Sequence, residues 1–339
     1  MKTQTEYDFA SMIQSPPPTA RFEDPDYIIW CGSMVQDEEQ ICHLFYSRWP
    51  HNLGHEAWVT HSEVAHAVAE HPLGPYKHVD VALPVRGTGF WDGSCTHNPT
   101  VARFGNKYYL YYTGNRGDRI VQHPLNWTHR NNQRIGVAVA DHPDGPWQRF
   151  DKPLIDSTPG FFDALCCANP TATQRPDGSI LMVYKAVGDK KEPPFGGPVV
   201  HIVATSDSPT GPFEKHPKPV FLVEGVNFAA EDPFIWLGKD RYWAVVKDND
   251  GRFTGRGYSL ALFESHDGYD WKLAKHRFVS TPEIPLTDGT RQKLTVLERP
   301  QVWLDKNGEP AVLFCAGSEA PDRSTSFNVQ FPLKMSKTG

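Results

Sequence analysis

Thr96-His97-Asn98-Pro99-Thr100 returns as Ala168-Asn169-Pro170-Thr171, as Ala230-Glu231-Asp232-Pro233-Phe234 and as Leu297-Glu298-Arg299-Pro300-Gln301. Each copy leads into an apolar run, a tight turn and a second strand-like run. The prolines stand about 65 residues apart, the size of a propeller blade. A second phrase recurs out of phase, over Glu63–Tyr76, Arg134–Trp147, His201–Phe213 and, more loosely, Ser259–Trp271. Each of its copies is an apolar strand, a Pro/Gly/Asp turn and an aromatic residue that opens the next strand. Together the two phrases define four strands per unit. In the second unit these are Pro99–Phe104, Lys107–Thr113, Arg134–Ala140 and Trp147–Pro153. The first unit runs from near Trp30 to near Val85, the third from Asn169 to about Phe221, the fourth from Asp232 to about Val279 and the fifth from Glu298 to Leu333.

This is the pattern of an all-β chain, a five-bladed β-propeller of four-stranded antiparallel blades. Residues 24–339 form the propeller as one domain, and residues 1–23 form a polar, Pro-rich lead-in. The fifth unit lacks an outer strand, which the lead-in is placed to supply. The chain of 339 residues is rich in aromatics, with ten Trp, twelve Tyr and nineteen Phe, a set that suits strands and stacking on sugar rings. A net charge of −6 without a basic cluster argues against a nucleic-acid partner. No apolar run reaches membrane-spanning length, and the start has no apolar signal segment. The chain as given therefore reads as cytoplasmic, or as periplasmic or secreted if a signal peptide was removed. The six cysteines lack disulfide or zinc spacing and are expected to be buried thiols.

In a propeller the residues just before each inner strand face one funnel. Here these are His97, Asn98, Asn169, Glu231, Asp232, Glu298 and Arg299. Glycosidic cleavage needs one carboxyl to protonate the leaving oxygen and another to activate water or attack carbon. Asp232 and Glu298 are the first candidates, each at the Pro-anchored mouth position of its copy. Arg299 is placed to bind sugar or to hold a carboxylate ionised. A third carboxylate comes from a further parallel. Phe90-Trp91-Asp92-Gly93-Ser94-Cys95 matches Phe161-Phe162-Asp163-Ala164-Leu165-Cys166. Asp92, beside Trp91 as a sugar platform, is the preferred base, with Asp163 orienting or tuning. Both aspartates also fit simple turn capping. Asp24, in a similar Asp-Pro phrase, lies too far ahead of the first strand. His97 is a candidate for a sugar hydroxyl, a proton shuttle or a cation. The loop Ser47–Glu63, carrying Trp49, His55 and Trp58, is placed to overhang the funnel. The Lys247–Gly257 loop is polar and Gly-rich but has no phosphate-loop pattern.

On these residues the chain resembles the five-bladed glycoside hydrolases of families 43 and 117 over about residues 24–320. The stretches nearest to family 117 are Ala230–Trp236, Lys247–Gly255 and Leu297–Gln301. The resemblance to family 43 implies an Asp base, a second Asp that tunes it and a Glu acid, the last two falling on Asp232 and Glu298. The phrase expected to hold the base reads His97-Asn98-Pro99, with Asn in place of Asp. Where family 117 proposes a His acid, this chain has Thr290 and Arg291. The implied activity is exo-acting hydrolysis of a terminal sugar, such as an α-L-sugar, from a plant or algal oligosaccharide, with inversion. Glu298 would be the acid, Asp92 the base and Asp232 the residue that holds the acid and the sugar. The expected partner is an oligosaccharide, with no nucleic acid and no membrane; a homo-oligomer is compatible with the reading. No cofactor is required and no metal ligands are assigned, although a structural Ca2+ in the central channel fits the fold. Two other readings share the propeller: a glycoside phosphorylase using Arg299, Arg252 and Arg256, and a non-catalytic glycan binder using Trp49, Trp58 and Trp91.

Overall fold

A computed structural model describes residues 6–334. Five four-stranded antiparallel sheets surround a central axis. The innermost strands are Tyr27–Gln36, Cys95–Phe104, Cys166–Gln174, Ala230–Leu237 and Val296–Leu304, one for each of blades 1 to 5. They pack against one another around the hub. The ring is closed by the lead-in: Arg21–Phe22 pairs with Ser326–Pro332 as the outer strand of blade 5. That blade thus joins the beginning of the chain to its end.

The lead-in is less polar in its behaviour than in its composition. Tyr7, Phe9 and Met12 are fully buried in the core shared by blades 4 and 5. The Tyr7 ring meets Trp243 edge-on at 4.9 Å, and its hydroxyl donates to Glu309 at 2.8 Å. Residues 1–5 of the expected lead-in and 335–339 of the expected propeller lie outside the described residues. All six cysteines are free and buried. Among the described residues no helix is long and apolar enough to cross a membrane.

The repeated phrase has a local cause. In every blade the pairing of the first and second strands slips by one residue at the same place, a β-bulge. The extra residue is left-handed each time: Cys31 (φ 52°), Asn98 (51°), Asn169 (54°), Asp232 (52°) and Arg299 (56°). Asn and Asp tolerate that conformation, whereas Cys and Arg do not favour it. Blade 1 therefore carries a fifth copy, Trp30-Cys31-Gly32, in which glycine replaces proline.

The Gly-Pro turns of the second phrase also need left-handed backbone. Gly74, Gly145 and Gly211 have φ of 77°, 88° and 80°. A Cβ on Gly74 would lie 2.6 Å from the Thr19 carbonyl oxygen, so only glycine fits.

Candidate active site

The five bulges place five side chains in a circle. Cys31 Sγ donates to Asn98 Oδ1 at 2.7 Å, and Asn98 Nδ2 donates to Asn169 Oδ1 at 2.5 Å. Asn169 Nδ2 then donates to Asp232 Oδ1 at 2.7 Å, which also accepts from Arg299 Nη1 at 2.6 Å. Arg299 lies beside Cys31 and completes the circle. Left-handed conformation at a residue other than glycine costs roughly 1–3 kcal/mol. The hydrogen-bonded ring offsets that cost and forms the floor of the hub.

A cavity of about 140 Å3 sits on this floor, lined by Trp30, Trp49, His55, Trp58, Lys185, Lys247 and Arg323 together with the funnel residues His97, Asn98, Asn169, Glu231, Asp232, Glu298 and Arg299. A larger groove of about 1020 Å3 along Arg175, Asp177 and Phe213 is a surface feature without opposed buried carboxyls. The short turns His51–Leu53 and His55–Ala57 and the helix Trp58–His61 bring the expected overhanging loop to the mouth.

Strand register corrects one alignment. Asp232 and Glu298 stand one and two residues before the proline of their copies, and they are not equivalent. Asp232 and Arg299 are the bulge residues. Glu298 matches Glu231 and His97, one residue earlier. Opposite these residues on the second strands stand Thr113, Lys247 and Ala316, with Lys185 at the matching place in blade 3.

Lys247 Nζ joins Glu298 Oε2 at 2.7 Å to Glu231 Oε2 at 2.9 Å, and Lys185 Nζ holds Glu231 Oε1 at 2.8 Å. Tyr258 donates to Glu298 Oε2 at 3.0 Å. Burial acts to raise both glutamates, but Lys185 and Lys247 keep Glu231 well below the usual range, and Lys247, aided by Arg323, keeps Glu298 below it. Asp232 goes the other way: burial, helped by the Glu231 and Glu298 charges, raises it against the pull of Arg299. Glu298 Oε1 and Asp232 Oδ2 take no hydrogen bond from the described residues. The cavity thus contains two carboxyls that their surroundings shift in opposite directions, each with an oxygen to spare.

Burial, reinforced by Arg299, keeps His97 neutral; its Nδ1 lies 2.7 Å from Ser62 Oγ and its ring is 5.1 Å from Trp58. Burial and Arg323 push His55 down to about 4, and its Nε2 accepts from Arg323 at 2.9 Å.

Asp92, Asp163 and Trp91 do not belong to this site. The Asp92 carboxylate is fully buried; it accepts from Arg86 Nη2 at 2.7 Å, Tyr112 at 2.7 Å and Arg149 at 3.3 Å. Asp163 repeats the device one blade on, accepting from Lys215 at 2.6 Å and Tyr184 at 2.8 Å. Each aspartate buckles the lead into an inner strand to the second and outer strands of its own blade. Neither has a free oxygen facing a ligand, so the base role expected of Asp92 is withdrawn. Trp91 stacks on Tyr112 at 5.7 Å, and a Cβ on Gly114 or Gly136 would lie under 3 Å from its ring. It is wedged inside blade 2 and offers no platform.

A central calcium does not fit the hub. Calcium takes six to eight oxygen ligands. Here Asp232 Oδ1 is committed to Arg299 and Asn169, both Glu231 oxygens to Lys185 and Lys247, and Glu298 Oε2 to Lys247, which leaves only Glu298 Oε1 and Asp232 Oδ2, too few carboxylate oxygens for the ion and with two ammonium groups nearby. The arginines of a phosphate site are dispersed: Arg252 pairs with Asp250 and Arg256 lies over Phe278, both away from the cavity.

Trp30, Lys185, Tyr258 and Arg323 are not candidates in the sequence reading, and Lys247 enters it only as the start of a polar loop. A lysine in an apolar strand is the available signal at Lys185 and Lys247, since a charge there must find a buried partner. The Lys247–Gly257 loop has a structural logic too. Asp248 accepts from the Gly251, Phe253 and Thr254 backbone amides and so shapes the turn before Tyr258.

No protein-family profile matches the chain, and no curated protein matches it. Among solved structures it is similar to a family 117 glycoside hydrolase produced by the marine bacterium Zobellia galactanivorans, with a TM-score of 0.66 and 18% identity over 91% of this chain and 85% of that one. It is similar to a thermostable family-43 glycoside hydrolase, with a TM-score of 0.60 and 16% identity over 92% of this chain and 91% of the other. It is also similar to an endo-arabinase from Bacteroides thetaiotaomicron, with a TM-score of 0.55 and 13% identity over 92% and 96%. At these identities the likeness is one of fold: the chain has the five-bladed β-propeller of these proteins.

Proposed function

We propose that the protein is an exo-acting glycoside hydrolase that removes one terminal sugar from an oligosaccharide. The observation that carries this reading is the pair of carboxyls, Glu298 and Asp232, lining one small cavity with shifts in opposite directions. Separation of two carboxyls into an acid and a base by their surroundings is how one site performs both steps at neutral pH. The hydrogen-bonded ring closes the cavity below and Trp30, Trp49 and Trp58 line it, so the site suits a chain end rather than a chain middle.

Asp232 gives its proton to the glycosidic oxygen as the bond to the anomeric carbon breaks. Glu298 takes a proton from the water that adds to that carbon, and the configuration inverts. This reverses the role that the family resemblance assigns to Glu298, because Lys247 keeps that carboxylate ionised. Glu231 holds Lys185 and Lys247 in place. Fold likeness to glycoside hydrolases supports the reaction class.

The test uses leaving groups. Asp232→Asn should lose activity on an oligosaccharide but retain much of it on an aryl glycoside whose leaving phenol needs no proton. Glu298→Gln should lose both. Proton NMR of the first-formed sugar reports inversion. Full activity in both variants would reject the reading.

A further inference from the structure

A second group of ligating side chains lies on the face of the ring away from the cavity. His43 pairs near the hairpin end of its strand, opposite Val35, whereas Trp49 is at the other end. His43 Nδ1 lies 2.9 Å from His66 Nε2 and 3.4 Å from Asp144 Oδ1, and these three ligand atoms fall within 4.8 Å of one another. The two imidazoles are buried, and Asp144 reaches in from the Asp141–Pro146 turn of blade 2.

The outer ring nitrogens explain the arrangement. His43 Nε2 lies 3.1 Å from Asp37 Oδ2, and His66 Nδ1 lies 3.6 Å from Asp80 Oδ1. The hydrogen bond to Asp37 puts the His43 proton on Nε2 and leaves the Nδ1 lone pair facing His66 Nε2. His66 Nε2 can donate to that lone pair, or, with its own proton on the Nδ1 that faces Asp80, turn a second lone pair to the same place. In that second tautomer the two nitrogens, 2.9 Å apart, hold a cation between them. Asp37 is itself fixed, because its Oδ1 accepts from the Ile41 amide at 2.8 Å. His142 Nδ1 accepts from the Asp144 backbone amide at 3.3 Å and so holds the turn that carries the third ligand.

We propose that His43 Nδ1, His66 Nε2 and the Asp144 carboxylate bind a divalent zinc ion, with water in the fourth position. Zinc–ligand distances of about 2.0–2.1 Å give a tetrahedral edge of about 3.3 Å. The separations of 2.9 and 3.4 Å lie on either side of that value. Imidazole and carboxylate together suit zinc rather than calcium or magnesium. The ion clips the blade 2 turn to the second and third strands of blade 1, and so staples two blades far from the catalytic cavity.

The full-length protein is stripped with EDTA, given Zn2+, desalted and assayed for metal by plasma mass spectrometry. The expected result is one zinc per chain, a melting temperature higher by on the order of a few degrees, and visible bands of tetrahedral cobalt when Co2+ replaces zinc. Asp144→Ala removes an exposed ligand without disturbing the core, and zinc affinity should fall at least tenfold, about the smallest effect of losing a ligand or its support. His66→Gln should abolish the cobalt bands. Wild-type protein that retains no zinc, or variants that bind it as tightly as wild type, would overturn the proposal.

Discussion

Two groups of buried acids occupy this propeller, and they differ in what remains unpaired. In the blade buckles, Asp92 and Asp163 each meet a cation and a tyrosine hydroxyl, and both are fully shielded. In the hub, Glu298 and Asp232 have their bonds gathered on one oxygen and leave the other facing the cavity. All four acids are buried, at 0% exposure in the buckles and 4–6% in the hub, so burial alone does not mark a working carboxyl. An oxygen left available beside a fixed charge does.

The sharpest way to break this comparison is to neutralise one acid of each kind. Glu298→Gln should lower turnover about 10³-fold, the scale of a lost general base, with a melting temperature near wild type. Asp92→Ala should do the reverse. It leaves Arg86 and Arg149 without their buried partner, a loss of about 3–5 kcal/mol, read by urea unfolding, while turnover per folded molecule stays the same. If Asp92→Asn abolishes turnover without loss of stability, the distinction between buckle and hub fails.

A smaller effect sharpens the electrostatic side. Lys247 keeps Glu298 low, and the base must be ionised to act. Lys247→Met should therefore move the acidic limb of the kcat/KM profile to higher pH, by roughly one pH unit or more. An unmoved limb would assign it to another group. Smaller still is the contrast between aromatics. Trp58→Ala should raise KM about tenfold, the 1.4 kcal/mol scale of one stacking contact. Trp91→Ala should leave KM unchanged and lower only stability.

Much of the fold was legible because propeller blades repeat their turn chemistry. Asn98-Pro99, Asn169-Pro170 and Asp232-Pro233 mark bulges whose left-handed residue is Asn or Asp. Blade 1 escaped the pattern because Cys31-Gly32 meets the same backbone need with different residues. The same local reading misled at the site. Asp92 and Asp163 repeat because each must tie its own blade, and a repeated structural device resembles a repeated functional one in sequence. Asp232 and Glu298 belong to the same Pro-anchored phrase and look equivalent as its acids, yet strand register places them one residue apart. Lys185 and Lys247 could be seen as charges in apolar strands, but their partners lie on neighbouring strands that only the ring brings near.

The carboxyl pair can act only if a sugar sits between its two groups. A crystal of the Glu298→Gln protein soaked with an oligosaccharide that the wild type cleaves tests it most directly. The expected result is a terminal sugar ring in the hub cavity, against Trp49 and Trp58, with its anomeric carbon between residue 298 and Asp232. A sugar bound in the outer groove by Arg175, or a glycosidic oxygen beyond reach of the Asp232 carboxyl, would contradict it.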